Sequence, residues 1–420
     1  MKQTKIVASI SDRRCDVDFI RQLFQAGINV VRMNTAHATP EGIKEIIRNT
    51  RKVSKHIGIL IDTKGPEVRS TGTDNPIEYK TGEVVKICGH NTEETSHDCI
   101  NVSYPDFVND VKVGDDVLFD DGELDMKVMK KEGDALIVEV QNDGKLGSKK
   151  SVNVPGEHID LPAIEEDIDF IAHSFVRNKE DVLAVQKILD EHNSEIKIIS
   201  KIENQEGVDN IDEIIEASYG IMIARGDLGI EVPIERIPGI QRMIIKKCIE
   251  AKKPVIVATQ MLHTMINNPR PTRAEVTDIA NAIYYRTDAL MLSGETASGK
   301  YPVEAVKTMA AIAEQAEKDK MRENDIPVPL SEDCNVSEFL AKQAIESTER
   351  LGVRGIITDS LHGRTARNLA AFRGPNPVLA ICVRERVQRL LALSYGVIPV
   401  YQHEKLQPQD QFVAALRMLR

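Results

Sequence analysis

The stretch that decides the fold is DIDFIAHSFVRNKEDVLAVQKILDEHNSEIKIISK, residues 167–201. It begins with a short apolar run, Asp167 to Ser174, and ends with another, Ile196 to Lys201; each is too brief for a buried helix. Between them, Asn178 to His192 has apolar residues at helical spacing, and Asn178 can cap the helix N-terminus. The order strand, helix, strand indicates one unit of a parallel α/β sheet.

The same alternation recurs along the chain and predicts eight strands. Besides the two above, the predicted strands are Thr4 to Ser9, Asn29 to Asn34, Ile57 to Asp62, Gly220 to Ala224, Pro254 to Thr259 and Asp288 to Ser293. Helical segments follow seven of the eight strands. Eight parallel strands with intervening helices are typical of a closed (β/α)₈ barrel, the TIM barrel.

A segment of about ninety residues takes the place of the helix after the third strand. Pro66 to Gly156 is rich in Gly, Asp and Thr with short β alternation, which predicts an inserted small β-barrel domain at 66–156. The stretch LPAIEED that follows is too short for the eighth barrel helix. Either the barrel is irregular here or the given sequence omits a stretch.

Further boundaries follow from composition. The polar, Pro-containing NDIPVPLSED ends the helical pattern of the barrel, after which helix and strand alternate again. We therefore predict a catalytic barrel formed by 1–65 and 157–322, and a C-terminal α/β domain formed by 323–420.

Charge and cysteine content narrow the function classes. A net charge of −11 and a pI near 5.5 argue against a nucleic-acid surface, so any anionic substrate must be held by local cations. The six cysteines lack CxxC spacing, which favours neither a zinc site nor a disulfide framework and fits a reducing cytoplasm. No apolar stretch has the length of a membrane span or the form of a signal peptide.

Charged and hydroxyl side chains mark the carboxyl ends of the predicted strands, where barrel enzymes build their active sites. In strand order, these residues are Arg32 and Asn34, Asp62 and Thr63, Lys201 and Glu203, Asp227, Thr259, and Ser293 with Glu295. So many polar groups at strand ends indicate a catalytic site.

Two carboxylates on neighbouring strands, Glu203 and Asp227, suit Mg²⁺, which takes few protein ligands together with water and substrate oxygens. The alternative is that these two carboxylates form a purely structural pair and bind no metal ion. Lys201 lies two residues before Glu203, and a metal ion beside an ammonium group is what a transferring phosphoryl group needs. The loop ARGDLG, residues 224–229, allows close backbone approach to an anion, although such loops are often plain turns.

Seven motifs together resemble pyruvate kinases over nearly the whole chain. They are RMNTAH (32–37), DTKGPEVR (62–69), ISKIEN (199–204), ARGDLG (224–229), ATQML (258–262), PRPTRAE (269–275) and MLSGET (291–296). The resemblance implies transfer of a phosphoryl group between phosphoenolpyruvate and ADP, giving pyruvate and ATP, in a cytoplasmic homotetramer.

The resemblance also implies roles at the strand ends. Glu203 and Asp227 would bind Mg²⁺ or Mn²⁺, and Lys201 would stabilise the phosphoryl group in transfer. Gly226, Asp227 and Thr259 would hold the substrate carboxylate. Thr259 would help deliver a proton through water to the enolate carbon, with Ser293 and Glu295 supporting that relay.

Nucleotide and effector sites are implied in the same way. Arg32 would contact phosphate, and the inserted domain would close over ADP to exclude water. The implied nucleotide-binding residues are Asn34, His37, Arg69, Asp121 and Lys150. The loop TDSLHGRT resembles an effector phosphate loop, with an ordinary capped loop as the alternative; its candidate residues are Thr358, Ser360, Arg364 and Thr365.

The sequence departs from the family at three places. The helix after LPA is missing, and the family's C-terminal domain usually continues past the position of Arg420. Glu67 matches family members that require K⁺, which Asn34, Asp62 and Thr63 would bind. Ala36 stands where a serine commonly helps to ligate that ion.

Two other function classes remain open at this point. A barrel lyase or aldolase acting on pyruvate or oxaloacetate would also use Mg²⁺ on an acid pair near a cation. A non-catalytic protein that binds phosphometabolites would bind phosphoenolpyruvate without forming ATP. The insert and Arg69 argue against the first class, and Lys201 with its neighbours argues against the second.

Overall fold

A computed structural model of the protein describes residues 2–35, 38–63, 67–105, 107–119, 124–148, 151–153, 167–319, 330, 335–402, 410 and 413. The strands are β1 Lys5–Ser9, β2 Val30–Asn34, β3 Gly58–Asp62, β4 Glu67–Arg69, β5 Ile77–Tyr79, β6 Val84–Cys88, β7 Cys99–Asn101, β8 Asp116–Phe119, β9 Leu124–Glu132, β10 Ala135–Val140, β11 Gly144–Leu146, β12 Ser151–Asn153, β13 Phe170–His173, β14 Lys197–Ile202, β15 Gly220–Ala224, β16 Val255–Ala258, β17 Ala289–Leu292, β18 Ile356–Ser360, β19 Val378–Cys382 and β20 Val397–Tyr401.

The helices are α1 Val17–Ala26, α2 Pro40–Val53, α3 Phe107–Asp110, α4 Lys179–Glu191, α5 Gln205–Asp209, α6 Ile211–Ala217, α7 Arg225–Glu231, α8 Ile237–Glu250, α9 Arg273–Tyr284, α10 Gly294–Ala297, α11 Pro302–Asp319, α12 Val336–Leu351, α13 Arg364–Ala371 and α14 Glu385–Leu390. In the part of the chain that the structure describes, no helix combines the length and apolar character needed to cross a membrane.

Eight parallel strands close into a barrel in the order β1-β17-β16-β15-β14-β13-β3-β2. The predicted (β/α)₈ barrel is therefore confirmed, and each predicted strand overlaps an observed one. Alternate side chains of the strands fill the interior with apolar residues such as Val30, Leu60, Ile199 and Met222, all fully buried. Because the strands are parallel, the polar residues at their carboxyl ends come together at one end of the barrel.

Local sequence sets the helix boundaries as predicted. The Asn178 side chain accepts a hydrogen bond from the N–H of Asp181 and caps α4, which spans Lys179–Glu191 within the predicted range Asn178 to His192. Residues 154–166, which include most of the short LPAIEED stretch, lie outside the described residues.

The chain divides into two compact units, Met1–Thr63 with Leu161–Arg420, and Lys64–Asp160. In the second unit, a seven-stranded sheet runs in the order β4-β12-β8-β9-β10-β6-β7, and an antiparallel bridge between Ser70 and Val102 joins the continuations of its two outer strands. Buried Val, Ile, Leu and Phe side chains give this unit a core of its own. The finer boundaries of the three predicted domains remain a prediction.

Strands β18, β19 and β20 form a parallel sheet after the barrel. The helix α14 and the 3₁₀ turn that follows it bring Leu390, Ala392 and Leu393 into the apolar cluster of the barrel interior. Beside them, Arg389 donates to Asp169 at 2.7 Å, and Asp169 is fully buried. The C-terminal segment thus covers the amino-terminal mouth of the barrel and leaves the carboxyl ends of the strands for chemistry.

Candidate active site

Lys201, on β14, is the centre of a cluster of polar groups. Its Nζ lies 2.7 Å from Glu203 Oε1 and 3.1 Å from Asp62 Oδ1, and it donates a hydrogen bond of 2.9 Å to Ser174 Oγ. Burial lowers the pKa of Lys201, but the carboxylates around it outweigh burial and hold the pKa above its usual range. The ammonium group is therefore kept charged in a buried position.

Asp62 connects this cluster to the neighbouring strand. Its Oδ2 accepts a hydrogen bond of 2.8 Å from Arg32 Nε, and another guanidinium nitrogen of Arg32 donates to Ser9 Oγ at 2.9 Å. Burial raises the pKa of Asp62, but Arg32 and Lys201 more than offset this and lower it overall. Two fixed cations thus share one buried carboxylate at the strand ends.

Glu203 has a different environment. Its Oε2 accepts a hydrogen bond of 2.6 Å from the N–H of Phe175, whose backbone has a positive φ of 54°. Burial raises the pKa of Glu203 to about 7; Lys201 opposes this shift, and the Asp227 carboxylate adds to it. Repulsion between two nearby carboxylates is what a divalent cation between them would relieve, and carboxylate oxygens are the ligands that Mg²⁺ prefers.

The residues therefore fit a Mg²⁺ or Mn²⁺ ion held by Glu203 and Asp227, with the remaining ligands from water and substrate. Among the described residues, there is no group of three or more His, Cys, Asp or Glu side chains suited to a metal ion.

Thr259 follows β16 and has a strained backbone. Its φ is 67°, a value that a β-branched residue rarely adopts, and the next residue, Gln260, also has a positive φ of 54°. The Thr259 hydroxyl accepts a hydrogen bond of 2.8 Å from the N–H of Gly226 and donates one of 2.6 Å to the carbonyl of Ala258. The strained turn brings the hydroxyl to the start of α7, where Asp227 also lies.

An ion pair formed by Arg225 holds the backbone turn at Thr259 in place. Arg225 donates to the carbonyl of Thr259 at 2.7 Å and to Asp278 at 2.7 Å. The guanidinium side chain is largely buried, with 10% of its surface exposed, so the pair can hold the Thr259 carbonyl in place. Sequence reasoning missed Arg225 because its role depends on Asp278, 53 positions away.

Glu295 and Ser293 lie at the end of β17. Glu295 is buried and accepts hydrogen bonds from the N–H of Leu262 at 3.1 Å and from the N–H of Ser293 at 2.8 Å. These contacts tie the loop after Thr259 to the last barrel strand. That Ser293 and Glu295 support proton delivery remains a prediction.

Ser174 is a site residue that sequence reasoning missed. Its hydroxyl oxygen contacts Lys201, lies 3.3 Å from Asp62 Oδ1 and is 2.8 Å from the carbonyl of Thr63. The signal was available, because Ser174 ends the fourth predicted strand. It was passed over because an uncharged hydroxyl after an apolar strand resembles an ordinary turn residue.

Other predicted site residues lie elsewhere or outside the described part. Asn34 is the last residue of β2. Thr63 follows Asp62, the last residue of β3. Thr358 and Ser360 lie in β18, and Arg364 and Thr365 begin α13 with exposed side chains. His37, Asp121 and Lys150, with Ala36, lie outside the described residues, as do the side chains of Glu67 and Arg69.

Fold and site together define a barrel enzyme that holds an ammonium group between carboxylates at its strand ends. The family model described as pyruvate kinase, barrel domain, matches residues 1–306, and the one described as pyruvate kinase, alpha/beta domain, matches residues 338–420. The chain belongs to the pyruvate kinase family, and it is therefore a phosphotransferase.

Individual relatives agree with this family. A pyruvate kinase of Borreliella burgdorferi is 48% identical, covering 100% of this chain and 90% of the relative. One of Clostridium acetobutylicum is 43% identical, covering 99% and 91%. A crystal structure of a pyruvate kinase from Cryptosporidium parvum has a TM-score of 0.89 at 36% identity, covering 99% of this chain and 90% of that one.

Proposed function

We propose that this protein transfers the phosphoryl group of phosphoenolpyruvate to ADP, with Lys201 as the residue that stabilises the group in transfer. The observation that carries the proposal is the charged Lys201 ammonium held between Asp62 and Glu203. A phosphoryl group that passes between two oxygens spreads negative charge over its outer oxygens. A fixed, buried cation stabilises that charge without reorganising.

In the transfer, an oxygen of the ADP β-phosphate forms a bond to phosphorus while the bond from phosphorus to the enol oxygen breaks. Arg32 and Lys201 are positioned by the same carboxylate, Asp62, so both can contact the phosphoryl oxygens. Mg²⁺ held by Glu203 and Asp227 would offset phosphate charge. The electron pair released from phosphorus remains on pyruvate as the enolate.

The substrate carboxylate would lie at the start of α7, against backbone N–H groups of Gly226 and Asp227. The Thr259 hydroxyl, now bonded to the N–H of Gly226, would turn to the substrate. The enolate carbon must gain one proton to give pyruvate, and Thr259 would supply it through water, with Ser293 and Glu295 fixing the loop.

The remaining expectations belong to the same proposal. Asn34, Asp62 and Thr63 would bind K⁺, and the nucleotide would contact Arg32 and Asn34. His37, Arg69, Asp121 and Lys150 would also bind nucleotide. We further propose a cytoplasmic homotetramer with an effector phosphate site at Thr358, Ser360, Arg364 and Thr365; within that site the Ser360 hydroxyl is buried without a hydrogen-bond partner among the described residues.

A direct assay tests the proposal. Phosphoenolpyruvate, ADP, Mg²⁺ and K⁺ should yield ATP and pyruvate in equal amounts, and ADP with Mg²⁺ should raise the melting temperature, as a ligand of the native state must. A lyase or aldolase would show no response to ADP. Binding of phosphoenolpyruvate without any ATP formation would identify a non-catalytic binding protein.

A further inference from the structure

Two cysteines of the unit Lys64–Asp160 lie against each other. Cys88 is the last residue of β6 and Cys99 is the first residue of β7, and their Sγ atoms are 3.1 Å apart. Both are free thiols. The sulfur atoms of a disulfide are about 2 Å apart, so an approach of about 1 Å separates this contact from a covalent bond.

The pairing of β6 with β7 turns both thiols to the same face of the sheet. Ile87 of β6 pairs with Ile100 of β7 in a parallel ladder, and both isoleucines belong to the core of this unit. Cys88 follows Ile87 and Cys99 precedes Ile100, so the alternation of side chains directs both thiols away from that core. The two sulfur atoms therefore meet on the outer face of the sheet.

The two thiols differ in exposure. Cys99 is partly exposed, whereas Cys88 is 6% exposed. Burial raises the pKa of the Cys88 thiol to about 12, and the contact with Cys99 and the charge of Asp134 add to this shift. Because the thiolate is the reactive form and must also be reached by the oxidant, a dissolved oxidant reacts first with Cys99. Cys88 is then placed to react with its oxidised neighbour.

We propose that Cys88 and Cys99 form an oxidation site, at which hydrogen peroxide produces a reversible disulfide that links β6 to β7. In a reducing compartment the pair rests as two thiols, and a disulfide there is transient and responds to oxidant. The strand β7 is the last one in its sheet and spans only residues 99–101. A covalent link at its first residue would therefore hold a short outer strand in place.

The chemistry takes two steps. The Cys99 sulfur attacks one oxygen of the peroxide and the O–O bond breaks, which leaves Cys99 as a sulfenic acid and releases one water that carries the thiol proton. The Cys88 sulfur then attacks the Cys99 sulfur and the S–O bond breaks, which releases a second water that carries the Cys88 proton. Two thiols thus lose two electrons and two protons, and the peroxide is reduced to two molecules of water.

Peptide mapping of the full chain tests the proposal. Trypsin releases residues 87–112 as one peptide that contains both cysteines, because no Lys or Arg lies between Ile87 and Lys112. The reduced protein is treated with equimolar hydrogen peroxide, and the remaining thiols are blocked with N-ethylmaleimide before digestion. We expect this peptide to be lighter by two hydrogen atoms and to carry no maleimide. Treatment with dithiothreitol should restore two maleimide-reactive thiols.

Three serine variants separate the two steps. In Cys88→Ser, oxidation of Cys99 should stop at the sulfenic acid, which dimedone labels. In Cys99→Ser, the buried Cys88 should be oxidised about tenfold more slowly or slower still. Cys15→Ser is the matched control, since Cys15 is also 6% exposed but its sulfur contacts the carbonyl of Asp12 at 3.4 Å. This control should form the Cys88–Cys99 disulfide at the rate of the unmodified protein.

Two outcomes of these experiments would overturn the proposal. One is a peptide 87–112 that still carries two maleimides after peroxide has oxidised other cysteines. The other is equally fast oxidation of Cys88 in the unmodified protein and in Cys99→Ser, which would show that the two thiols react independently.

Amide hydrogen exchange measures the consequence for the sheet. Once oxidised, the protein should exchange the amides of residues 99–101 about tenfold more slowly or slower still, because β7 can then open only together with the end of β6. The amides of β14 in the barrel are the internal control and should exchange equally in both forms. Unchanged exchange at 99–101 in a protein shown to contain the disulfide would refute the proposed link between the strands.

Discussion

Lys201 and Glu203 are two positions apart, so their side chains leave the strand on the same side, and Lys201 Nζ lies 2.7 Å from Glu203 Oε1. One strand end therefore provides both the cation proposed to stabilise the phosphoryl group and a carboxylate proposed to bind the metal ion. Asp62, from β3, holds the ammonium from the other side at 3.1 Å.

The first prediction concerns Lys201→Met, which removes the ammonium group. We expect kcat to fall by about a hundredfold or more with little change in phosphoenolpyruvate binding, because the charge acts mainly in the transition state. Steady-state kinetics and direct binding measurements check this. The matched control is Lys197→Met, at the opposite end of the same strand, and near-normal kcat in Lys201→Met would refute the assignment.

The second prediction concerns K⁺. We expect the unmodified protein to depend on K⁺ but weakly, since Ala36 offers no hydroxyl ligand, while Asn34, Asp62 and the Thr63 carbonyl remain. ATP formation is measured at fixed Mg²⁺ and ionic strength while K⁺ replaces tetramethylammonium. Ala36→Ser should reach half-activation at lower K⁺; full activity without K⁺ would contradict the proposed site and the interpretation of Glu67.

The third prediction concerns acid stability. His173, at the end of β13, is 7% exposed, and burial lowers its pKa from 6.5 to about 4, against a smaller opposing effect of Asp181. Between these pH values the unfolded chain binds a proton that the native state does not. The free energy of unfolding should therefore decrease as the pH falls from about 6.5 to about 4, by up to about 1.4 kcal/mol per pH unit from this group.

Urea unfolding across this pH range measures the effect. His173→Leu should flatten the pH dependence relative to the unmodified protein, whereas His56→Leu, at an exposed position, should leave it unchanged. A dependence equally steep in His173→Leu would show that other groups account for the acid sensitivity.

The fourth prediction compares two arginines near α14. Arg389 donates to the fully buried Asp169, so Arg389→Met should lower the free energy of unfolding by about 3 kcal/mol, because a buried carboxylate loses a partner. Arg384 pairs with Glu195 at an exposed position, and Arg384→Met should cost less than about 1 kcal/mol. Chemical denaturation of both variants checks this. Arg51 also contacts Asp169, at 3.2 Å, and equal losses would mean that Arg51 alone pairs this carboxylate adequately.

The sequence predicts the strands well and the long-range contacts poorly. Short β-branched runs mark all eight barrel strands because a buried parallel strand has few other patterns available. The cover formed by Leu390 and Leu393 was not predictable, since periodicity shows that a helix face is apolar but does not show what it packs against. The charged strand ends were predictable from position alone.

The strain at Thr259 was equally invisible in the sequence. Nothing in ATQML distinguishes a β-branched residue with φ of 67° from one in a regular strand. The positive φ depends on Arg225, Gly226 and Glu295, which reach the loop from other elements. Such geometry is decided by tertiary contacts.

Closure of the barrel sets an order of events during synthesis. Residues 5–8 of β1 pair with residues 289–292 of β17. Nearly three hundred further residues must therefore be synthesised before β1 can pair with its second neighbouring strand. At roughly 5–20 residues per second, the ribosome needs between about 15 and 60 seconds to supply it. Throughout that interval an apolar strand edge is open to other nascent chains, whereas the strands of the inserted unit can pair as soon as β12 has emerged. We therefore expect the partly made barrel to be prone to aggregation during synthesis unless its open edge is shielded.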